Sequence, residues 1–514
     1  MYLLFLKESI DLNKINQLKK QVFPFITIIF LCSFVFQGIA QGDFYIDRDI
    51  EENYKLIIDL KLDQAQRNIE RLRSEHPNHL MLIHLENYVD FFRIFINEDL
   101  SEFKNLEKKK DDRLERIRQG NKNNPYYNLV QAEILMQWAI ARLKFEEYYT
   151  ALMETKKAHK LLIKNREEHP WFIPNNKGLA MIHGVIGTIP DNYKYLLKLF
   201  TGMDGTISES IAEINQLVEY GKNNKYIYQK EAYAIQALIL LHLNNDKEGA
   251  WEVIKKAELD PTTSPLSVFM LANIAKYSGR TDKAIEYLEA KPGGPDYSDF
   301  YYLDFMLGVY KLNRLDPDAD KFILKFTRNF KGRNYVKEAY QKLAWHSWVI
   351  LENNEKAIYY YQKCLKNGNR LMDEDASAHE DALRNDLPVQ NMLKSRLLFD
   401  GGYYERSLDF LNSYENHIDD TDALSYYYQK GRNLQMLGDF QEALLSYKKV
   451  LMTPKQPNAY QKCNAALQSG IIYETLGISV KAIDFYDLVL TMTPEKYERS
   501  LHQKAKAGLN RLKN

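Results

Sequence analysis

Residues 124–170 carry apolar side chains at every third or fourth position, with polar and charged residues between them. This is the period of an amphipathic α-helix, and the stretch is long enough for two long helices. Toward the C-terminus, glycine, alanine and tyrosine recur at regular intervals between such helical stretches. The pattern therefore predicts a series of helices joined by short turns.

The clearest repeats lie in the C-terminal quarter, where two glycines, an alanine and a tyrosine follow one another at spacings of 7, 5 and 4 residues. The two copies are Gly431, Gly438, Ala443, Tyr447 and Gly470, Gly477, Ala482, Tyr486. The first glycine of each copy lets two helices approach, and the second suits the turn between them. These spacings match tetratricopeptide repeats (TPRs), which are helix-turn-helix units of about 34 residues.

Weaker copies of the pattern extend toward the N-terminus. Ala250 and Ala284 stand 34 residues apart, which is one full period. Partial copies lie at 402–411, 345–361, 310–319 and 65–77. A unit of this kind cannot bury its apolar face alone and must stack on its neighbours. The sequence predicts an all-α, TPR-type helix-turn-helix solenoid of about eight or nine pairs, wound as one right-handed superhelix with a non-repeat central helical segment.

Two segments interrupt the period, and with the N-terminus they divide the chain. The predicted divisions are a signal peptide at 1–40, an N-terminal helical, TPR-like region at 41–170, the central segment at 171–221, TPR-like repeats at 222–366, an acidic insertion at 367–388 and C-terminal TPR repeats at 389–514. We expect the acidic insertion to be solvated.

The central segment has a pattern of its own, formed by Gly178, Pro190, Leu196, Gly202 and Gly205 between repeats on both sides. It resembles the central motif of the tetratricopeptide repeat protein 39 and inclusion-body-clearance family. The resemblance implies a repeat fold and a non-enzymatic interaction protein, because members of that family are interaction proteins without known catalysis. They are linked to aggregate clearance and to lipid. Those members lack an export signal, so the resemblance does not extend to their cellular role.

The N-terminus has the features of a secretory signal. Lys14, Lys19 and Lys20 precede the apolar run 22–36, and Gly38-Ile39-Ala40 provides small residues at a cleavage site. The run is short for a spanning helix, although an uncleaved anchor remains the alternative. We expect an exported protein in the periplasm or at the outer-membrane periphery, with peripheral membrane association as a further possibility.

The three cysteines do not suggest a disulfide framework or a lipid anchor. Leu31 precedes Cys32 where lipid attachment needs a small residue, and the apolar run continues beyond it. Cys364 and Cys463 lie among apolar residues in helical patterns, so we expect buried free thiols rather than a single disulfide.

Composition narrows the class of function. Of 514 residues, 45% are hydrophobic, which excludes a disordered chain, and 23 glycines with 15 prolines favour helix over loops. The 69 basic residues equal the 69 acidic ones, so no global charge favours nucleic acid. The charged run 98–122 mixes both signs and is typical of an exposed helix with ion pairs.

Motifs that carry chemistry are missing from the sequence. There is no phosphate-binding glycine loop and no nucleophile elbow. His76, His79 and His84 lack the spacing of a zinc site, and the acidic stretch at 373–377 has Ala378 where a calcium loop needs glycine. We expect no enzyme activity, no cofactor and no metal.

A partner is expected on the concave face, which the first helix of each TPR pair lines. This register selects Met392, Arg396, Phe399, Tyr428, Arg432, Gln435, Leu467, Ile471 and Glu474. Arg396 and Arg432 occupy equivalent positions, and we hypothesise a paired basic site for a carboxylate of a protein partner. The alternative is that each arginine simply pairs with a nearby acid.

The predicted function is an exported, non-enzymatic TPR scaffold that binds protein segments in its concave groove within the cell envelope. The alternative is a glycan-binding helical protein associated with outer-membrane nutrient uptake, which the few tryptophans and the context of Cys32 favour less. An enzyme is the least favoured of the three readings, and the fold alone does not distinguish protein from glycan as ligand.

Overall fold

The computed structural model describes residues 42–189, 191–454 and 456–513. The predicted signal peptide, Cys32 and Pro190 lie outside the described residues. The described part of the chain folds into 25 α-helices and contains no β-sheet, apart from an isolated bridge between Asp43 and His79. The predicted all-α helical-repeat fold is confirmed.

The helices follow one another with short connections. The first thirteen are α1 Arg48–Ile58, α2 Leu62–Glu75, α3 Met81–Asn97, α4 Leu100–Arg118, α5 Tyr126–Lys144, α6 Tyr148–Glu168, α7 Asn176–Gly187, α8 Asp191–Thr201, α9 Ile207–Asn223, α10 Gln229–His242, α11 Lys247–Lys256, α12 Pro265–Tyr277 and α13 Thr281–Glu289. The others are α14 Tyr302–Arg314, α15 Ala319–Asn329, α16 Val336–Val349, α17 Asn354–Lys366, α18 Asp373–Arg384, α19 Gln390–Gly401, α20 Tyr404–Tyr414, α21 Ala423–Met436, α22 Phe440–Met452, α23 Tyr460–Thr475, α24 Ser479–Thr491 and α25 Glu498–Lys513.

The chain forms two compact units. Unit 1 comprises the described residues up to Gly308, together with Lys321–Lys342 and Tyr360–Arg384. Unit 2 comprises Val309–Asp320, Leu343–Tyr359 and the described residues from Asn385 onward. Within each unit, consecutive helices pack as hairpins, among them α5 with α6, α10 with α11, α12 with α13, α21 with α22 and α23 with α24.

The hairpins of unit 2 show why the small residues recur. A Cβ atom at Gly470 would lie 2.7 Å from the ring of Tyr486, and one at Gly431 would lie 2.7 Å from the ring of Tyr447. Such distances are too short for carbon atoms in contact, so each glycine makes room for the tyrosine of the next helix. Both tyrosines are fully buried. The predicted close approach of the paired helices is confirmed.

The central segment contains helices although it departs from the repeat. In unit 1, α7 packs against α9, and the two form a hairpin with α8 inserted between them. Gly184 lies at this crossing, where a Cβ atom would come within 2.7 Å of the Ser210 Oγ. The segment therefore continues the stack of hairpins, with a third helix where a repeat has a turn.

The acidic stretch 367–388 is only partly the solvated insertion that the sequence suggested. Asp373–Arg384 forms α18, and the Asp375 side chain is fully buried. Asp375 accepts hydrogen bonds from the backbone N–H groups of Tyr335 (2.6 Å) and Glu338 (2.9 Å), which belong to the start of α16. It thus supplies acceptors that the first turn of that helix needs. Burial raises the pKa of Asp375 to about 7.

The charged run 98–122 is only partly the exposed helix that its mixed signs suggested. It forms α4, on which Lys110 and Arg113 are buried. Lys110 Nζ lies 2.6 Å from Glu154 Oε1, and an Arg113 nitrogen lies 2.5 Å from Asp90 Oδ2. One face of this helix therefore joins buried ion pairs, because its basic residues meet acids on other helices.

Both cysteines among the described residues, Cys364 and Cys463, are buried free thiols, as predicted. Burial raises the pKa of the Cys364 thiol to about 12 and that of Cys463 to about 11. Within the described ranges, no helix combines the length and apolarity needed to cross a membrane. Nor do three or more metal-ligating side chains converge anywhere in that part of the chain.

Candidate functional site

Unit 1 contains a cavity of about 730 Å³. Its wall is built by the first helix of each hairpin in this unit, in chain order α1, α3, α5, α7, α10 and α12. The second helices lie outside these, paired with them. Stacked helical hairpins thus place a series of inner helices around one space.

The beginning and the end of this series of hairpins meet, which closes the wall. Ser264 Oγ, just before α12, donates a hydrogen bond of 2.8 Å to the carbonyl of Ile58 in α1. The Ser298 backbone N–H donates a hydrogen bond of 2.8 Å to the carbonyl of Leu60. Residues more than 200 positions apart in the sequence therefore lie side by side at the mouth of the cavity.

Most of the cavity wall is apolar. Aromatic residues and methionines make up half of its apolar residues, and the flexible methionines adapt to ligands of different shape. The apolar lining residues are Tyr54, Ile58, Tyr88, Phe91, Phe92, Met136, Ile140, Met181, Ile227, Ala234, Ile235, Leu238, Leu259, Leu266, Met270 and Tyr297.

Charged side chains form a cluster at the floor of this cavity. Lys177 in α7 is buried, and its Nζ lies 2.8 Å from Glu133 Oε1 in α5 and 3.3 Å from Glu231 Oε2 in α10. Lys177 Nζ also lies 4.5 Å from the centre of the Tyr228 ring. The ammonium therefore connects three inner helices through two carboxylates and the face of an aromatic ring.

Two tyrosines complete the cluster. Tyr54 OH donates a hydrogen bond of 3.1 Å to Glu231 Oε2, and Tyr88 OH donates one of 3.2 Å to the same oxygen. Burial, followed by the charge of Glu231, raises the pKa of both phenols well above the usual value. Both groups consequently remain neutral donors, and Glu231 accepts hydrogen bonds from two phenols and an ammonium.

The protonation states of Glu133 and Lys177 depend on each other. Burial opposes ionisation of Glu133, but Lys177 and His84 outweigh it and lower the Glu133 pKa to about 2. His84 Nε2 lies 2.8 Å from Glu133 Oε2. Burial likewise opposes the charge of Lys177, whereas Glu133 and Glu231 raise its pKa above the usual value. Both groups are therefore charged at neutral pH.

The cluster is suited to binding. Its charges are engaged by one another and by phenols, and they lie beside the apolar wall. Lysine and acidic residues at the rim, among them Lys55, Lys230 and Asp260, are exposed to solvent. The arrangement offers an apolar surface with an ionic group at its deepest point, which fixes the orientation of a ligand.

The structure places the nine residues predicted from the TPR register in unit 2, and several are not available to a partner. Met392, Tyr428 and Leu467 are buried in the cores of their hairpins. Ile471 packs against the last core cluster. Glu474 pairs with Arg511 of α25 at 2.7 Å, because the final helix packs on the hairpin that carries it.

The remaining predicted residues lie together. The Arg432 guanidinium lies 4.2 Å from the centre of the Phe399 ring, and the Arg396 guanidinium lies 5.0 Å from that of Trp345. Burial raises the pKa of Tyr460, whereas both arginines act in the opposite direction, so both lie near this phenol. Gln435 is engaged by Tyr447 OH at 2.7 Å. The paired basic site at Arg396 and Arg432 stays a prediction.

Sequence reasoning missed the cavity of unit 1. The first helix of each pair does line the inner face there. However, only the C-terminal repeats have spacing regular enough to predict which residues face inward. Lys177 lies in the segment that breaks the period, where no register could be assigned. One signal was present, since Lys177 immediately precedes the apolar stretch 178–187 in the same helix. Inside a buried helix, a single lysine needs a carboxylate partner.

Comparison with solved structures finds chains of distant sequence. The Rap protein complexed with competence and sporulation factor is 12% identical, with 79% of this chain and 97% of that chain covered and a TM-score of 0.29. Yeast Tom70 is 14% identical, with 90% and 97% covered and a TM-score of 0.24. The TPR domain of P58(IPK) is 13% identical, with 81% and 98% covered and a TM-score of 0.20.

No family model matches the chain, and no curated protein matches it. The resemblance of the central segment to the tetratricopeptide repeat protein 39 and inclusion-body-clearance family therefore stays a prediction.

Proposed function

We propose that the chain is a non-enzymatic binding protein that holds a segment of a protein partner in the cavity of unit 1. The observation that carries this proposal is the cavity itself, an apolar space of about 730 Å³ surrounded by six inner helices. An apolar groove between helices accepts apolar anchor residues of an extended or helical segment. Methionines at 136, 181 and 270 let the wall adapt to such side chains.

The same proposal includes the location predicted from the sequence. Residues 1–40 have the pattern of an export signal, and we propose that the protein acts as a scaffold in the cell envelope. Fusion of residues 1–60 to alkaline phosphatase, which is active only after export, tests this. An inactive fusion would contradict export.

Blocking the cavity is expected to abolish segment binding. Ala234 lies on α10 in the wall and is half-buried, so Ala234→Trp would place an indole in the space. Peptides of 12 residues selected from a random phage library on the unchanged protein should bind this variant at least tenfold more weakly. Ala507→Trp, at an exposed position of α25, is the matched control and should leave binding unchanged.

Circular dichroism of both variants establishes that they fold. A selection that yields no peptide sensitive to Ala234→Trp would overturn the assignment of the cavity as the binding site. If small apolar compounds bind in this cavity but no peptides do, the ligand is a small molecule and not a protein segment.

The second predicted surface, at Arg396 and Arg432, is tested by charge. If the two arginines bind a carboxylate, the double variant Arg396→Glu, Arg432→Glu should weaken binding of peptides with a free C-terminus at least tenfold, because a charge-assisted hydrogen-bond pair becomes a repulsion. Amidated versions of the same peptides are the control. Equal binding of both peptide forms to the folded double variant and to the unchanged protein would eliminate this site.

A further inference from the structure

The floor of the cavity holds two carboxylates around one lysine. Glu133 and Glu231 share the ammonium of Lys177, at 2.8 and 3.3 Å. The His84 ring also lies 2.8 Å from Glu133, so Glu231 is the carboxylate that is held by the longer contact. The two phenols donate hydrogen bonds but add no charge. A carboxylate in an apolar cavity acts strongly on a ligand because the surrounding dielectric constant is low.

The charges at the rim act on one another. Glu51 pairs with Lys225, which lies outside the cavity wall. Burial raises the pKa of Asp59, and the lysines at 55, 61 and 230 act against it. These lysines are therefore engaged at the rim, whereas the ammonium beside Glu231 is that of Lys177.

Glu231 is the carboxylate that a ligand can reach. About 27% of its side chain is exposed, whereas about 6% of the Glu133 side chain and 4% of the Lys177 side chain are. The rings of Tyr54 and Tyr88 lie beside it, with their centres 5.9 Å apart. A carboxylate flanked by aromatic rings favours an ammonium or a guanidinium, which gains both an ion pair and cation–π contacts.

An anionic ligand does not suit this floor. The positive group within it, Lys177, is buried and already engaged by two carboxylates. An incoming carboxylate would approach Glu231 first and be repelled. A neutral ligand would fill the apolar wall but would bring no positive charge to the partly exposed Glu231 carboxylate.

We infer that the cavity binds an apolar segment that carries a primary ammonium or guanidinium group, and that Glu231 receives this group. The inference rests on the proposed function, since it names the chemistry of the segment that the cavity holds. Lysine and arginine side chains and a free N-terminal amine are the groups of this class in a protein segment.

The test uses three small probes of one shape at pH 7: 4-phenylbutylamine, 4-phenylbutanol and 4-phenylbutyrate, each titrated calorimetrically into the full chain. The amine is expected to bind about tenfold more tightly than the alcohol, and the carboxylate more weakly than either. Glu231→Gln should reduce binding of the amine to that of the alcohol and leave the alcohol unchanged. Asp260→Asn, the same change at the rim, is the matched control and should preserve the order.

The outcomes separate this inference from the proposed function. Equal binding of amine and alcohol, both lost in Ala234→Trp, would overturn the cation preference and leave the cavity as a binding site. If none of the three probes binds, the peptides selected on the cavity decide: replacement of their lysines by norleucine should lower affinity about tenfold, and unchanged affinity would overturn the inference. If no selected peptide depends on the cavity for binding, the proposed function itself is wrong.

Discussion

Replacement of Lys177 by methionine is expected to lower the free energy of unfolding of unit 1 by about 3–5 kcal/mol. Methionine fills a similar volume but removes the ammonium that Glu133 and Glu231 share at 2.8 and 3.3 Å. Glu133 is buried and would keep a charge with no ammonium beside it. Urea unfolding followed by circular dichroism measures the loss, and hydrogen exchange of the α5 and α7 amides shows where it occurs.

The expected loss depends on pH in a defined direction. In the unchanged protein the Glu133 pKa is lowered from 4.5 to about 2, so its stabilising contribution is complete above about pH 4.5 and is lost as the pH falls toward 2. In Lys177→Met, burial without the ammonium raises the Glu133 pKa, and its penalty disappears as the carboxyl is protonated. The difference between the two proteins should therefore narrow from pH 7 to pH 4.

A double variant distinguishes the effect of leaving a buried carboxylate unpaired from the effect of removing a lysine side chain. Lys177→Met with Glu133→Gln should recover part of the stability, because the buried carboxylate is removed with its partner. Lys230→Met removes an exposed lysine from the same cavity and should change the free energy of unfolding by less than about 0.5 kcal/mol. If Lys177→Met were as mild as this control, the ionic cluster would not stabilise the fold.

The hairpins of unit 2 could be predicted because the residues that pack against each other lie close together in the sequence. Gly470 and Tyr486 lie 16 residues apart, and the clash that a Cβ atom would cause explains the choice of glycine. Spacing alone therefore identified both helices and the turn between them. The same reasoning could not predict that α18 packs through Asp375, since acidic composition suggests solvent and the backbone N–H groups that donate to this carboxylate lie at the start of another helix.

The candidate site lay beyond sequence reasoning for a different reason. Tyr54 and Glu231 form a hydrogen bond although 177 residues separate them, so their meeting depends on how far each hairpin rotates relative to the last. A repeat register predicts which helix faces inward but not where the series of hairpins closes. The register assigned to unit 2 selected buried residues such as Met392 and Leu467 for the same reason, because a face toward the groove and a face toward the core differ by a small rotation.

A second large effect on stability is expected from replacing Arg142. This arginine at the end of α5 is buried, and it contacts Glu154 at 2.9 Å, Glu107 at 2.6 Å and also Glu147. Lys110 and Lys104 contact the same three carboxylates from α4, so three cations balance three anions. Arg142→Met would leave this group with a net negative charge and is expected to lower the free energy of unfolding by about 3–5 kcal/mol.

The matched control for this variant is Arg48→Met. Arg48 pairs with Glu52 at 2.6 Å, but both side chains are largely exposed, and water screens such a pair so that it contributes little to stability. Arg142→Lys should fall between the two variants, because an ammonium keeps the charge but lacks the planar group that reaches three carboxylates. Urea unfolding of the three variants in parallel gives this order. An Arg142→Met variant no less stable than Arg48→Met would mean that Lys104 and Lys110 alone hold the three acids, and the ion cluster would then join α4 to α6 without depending on its buried arginine.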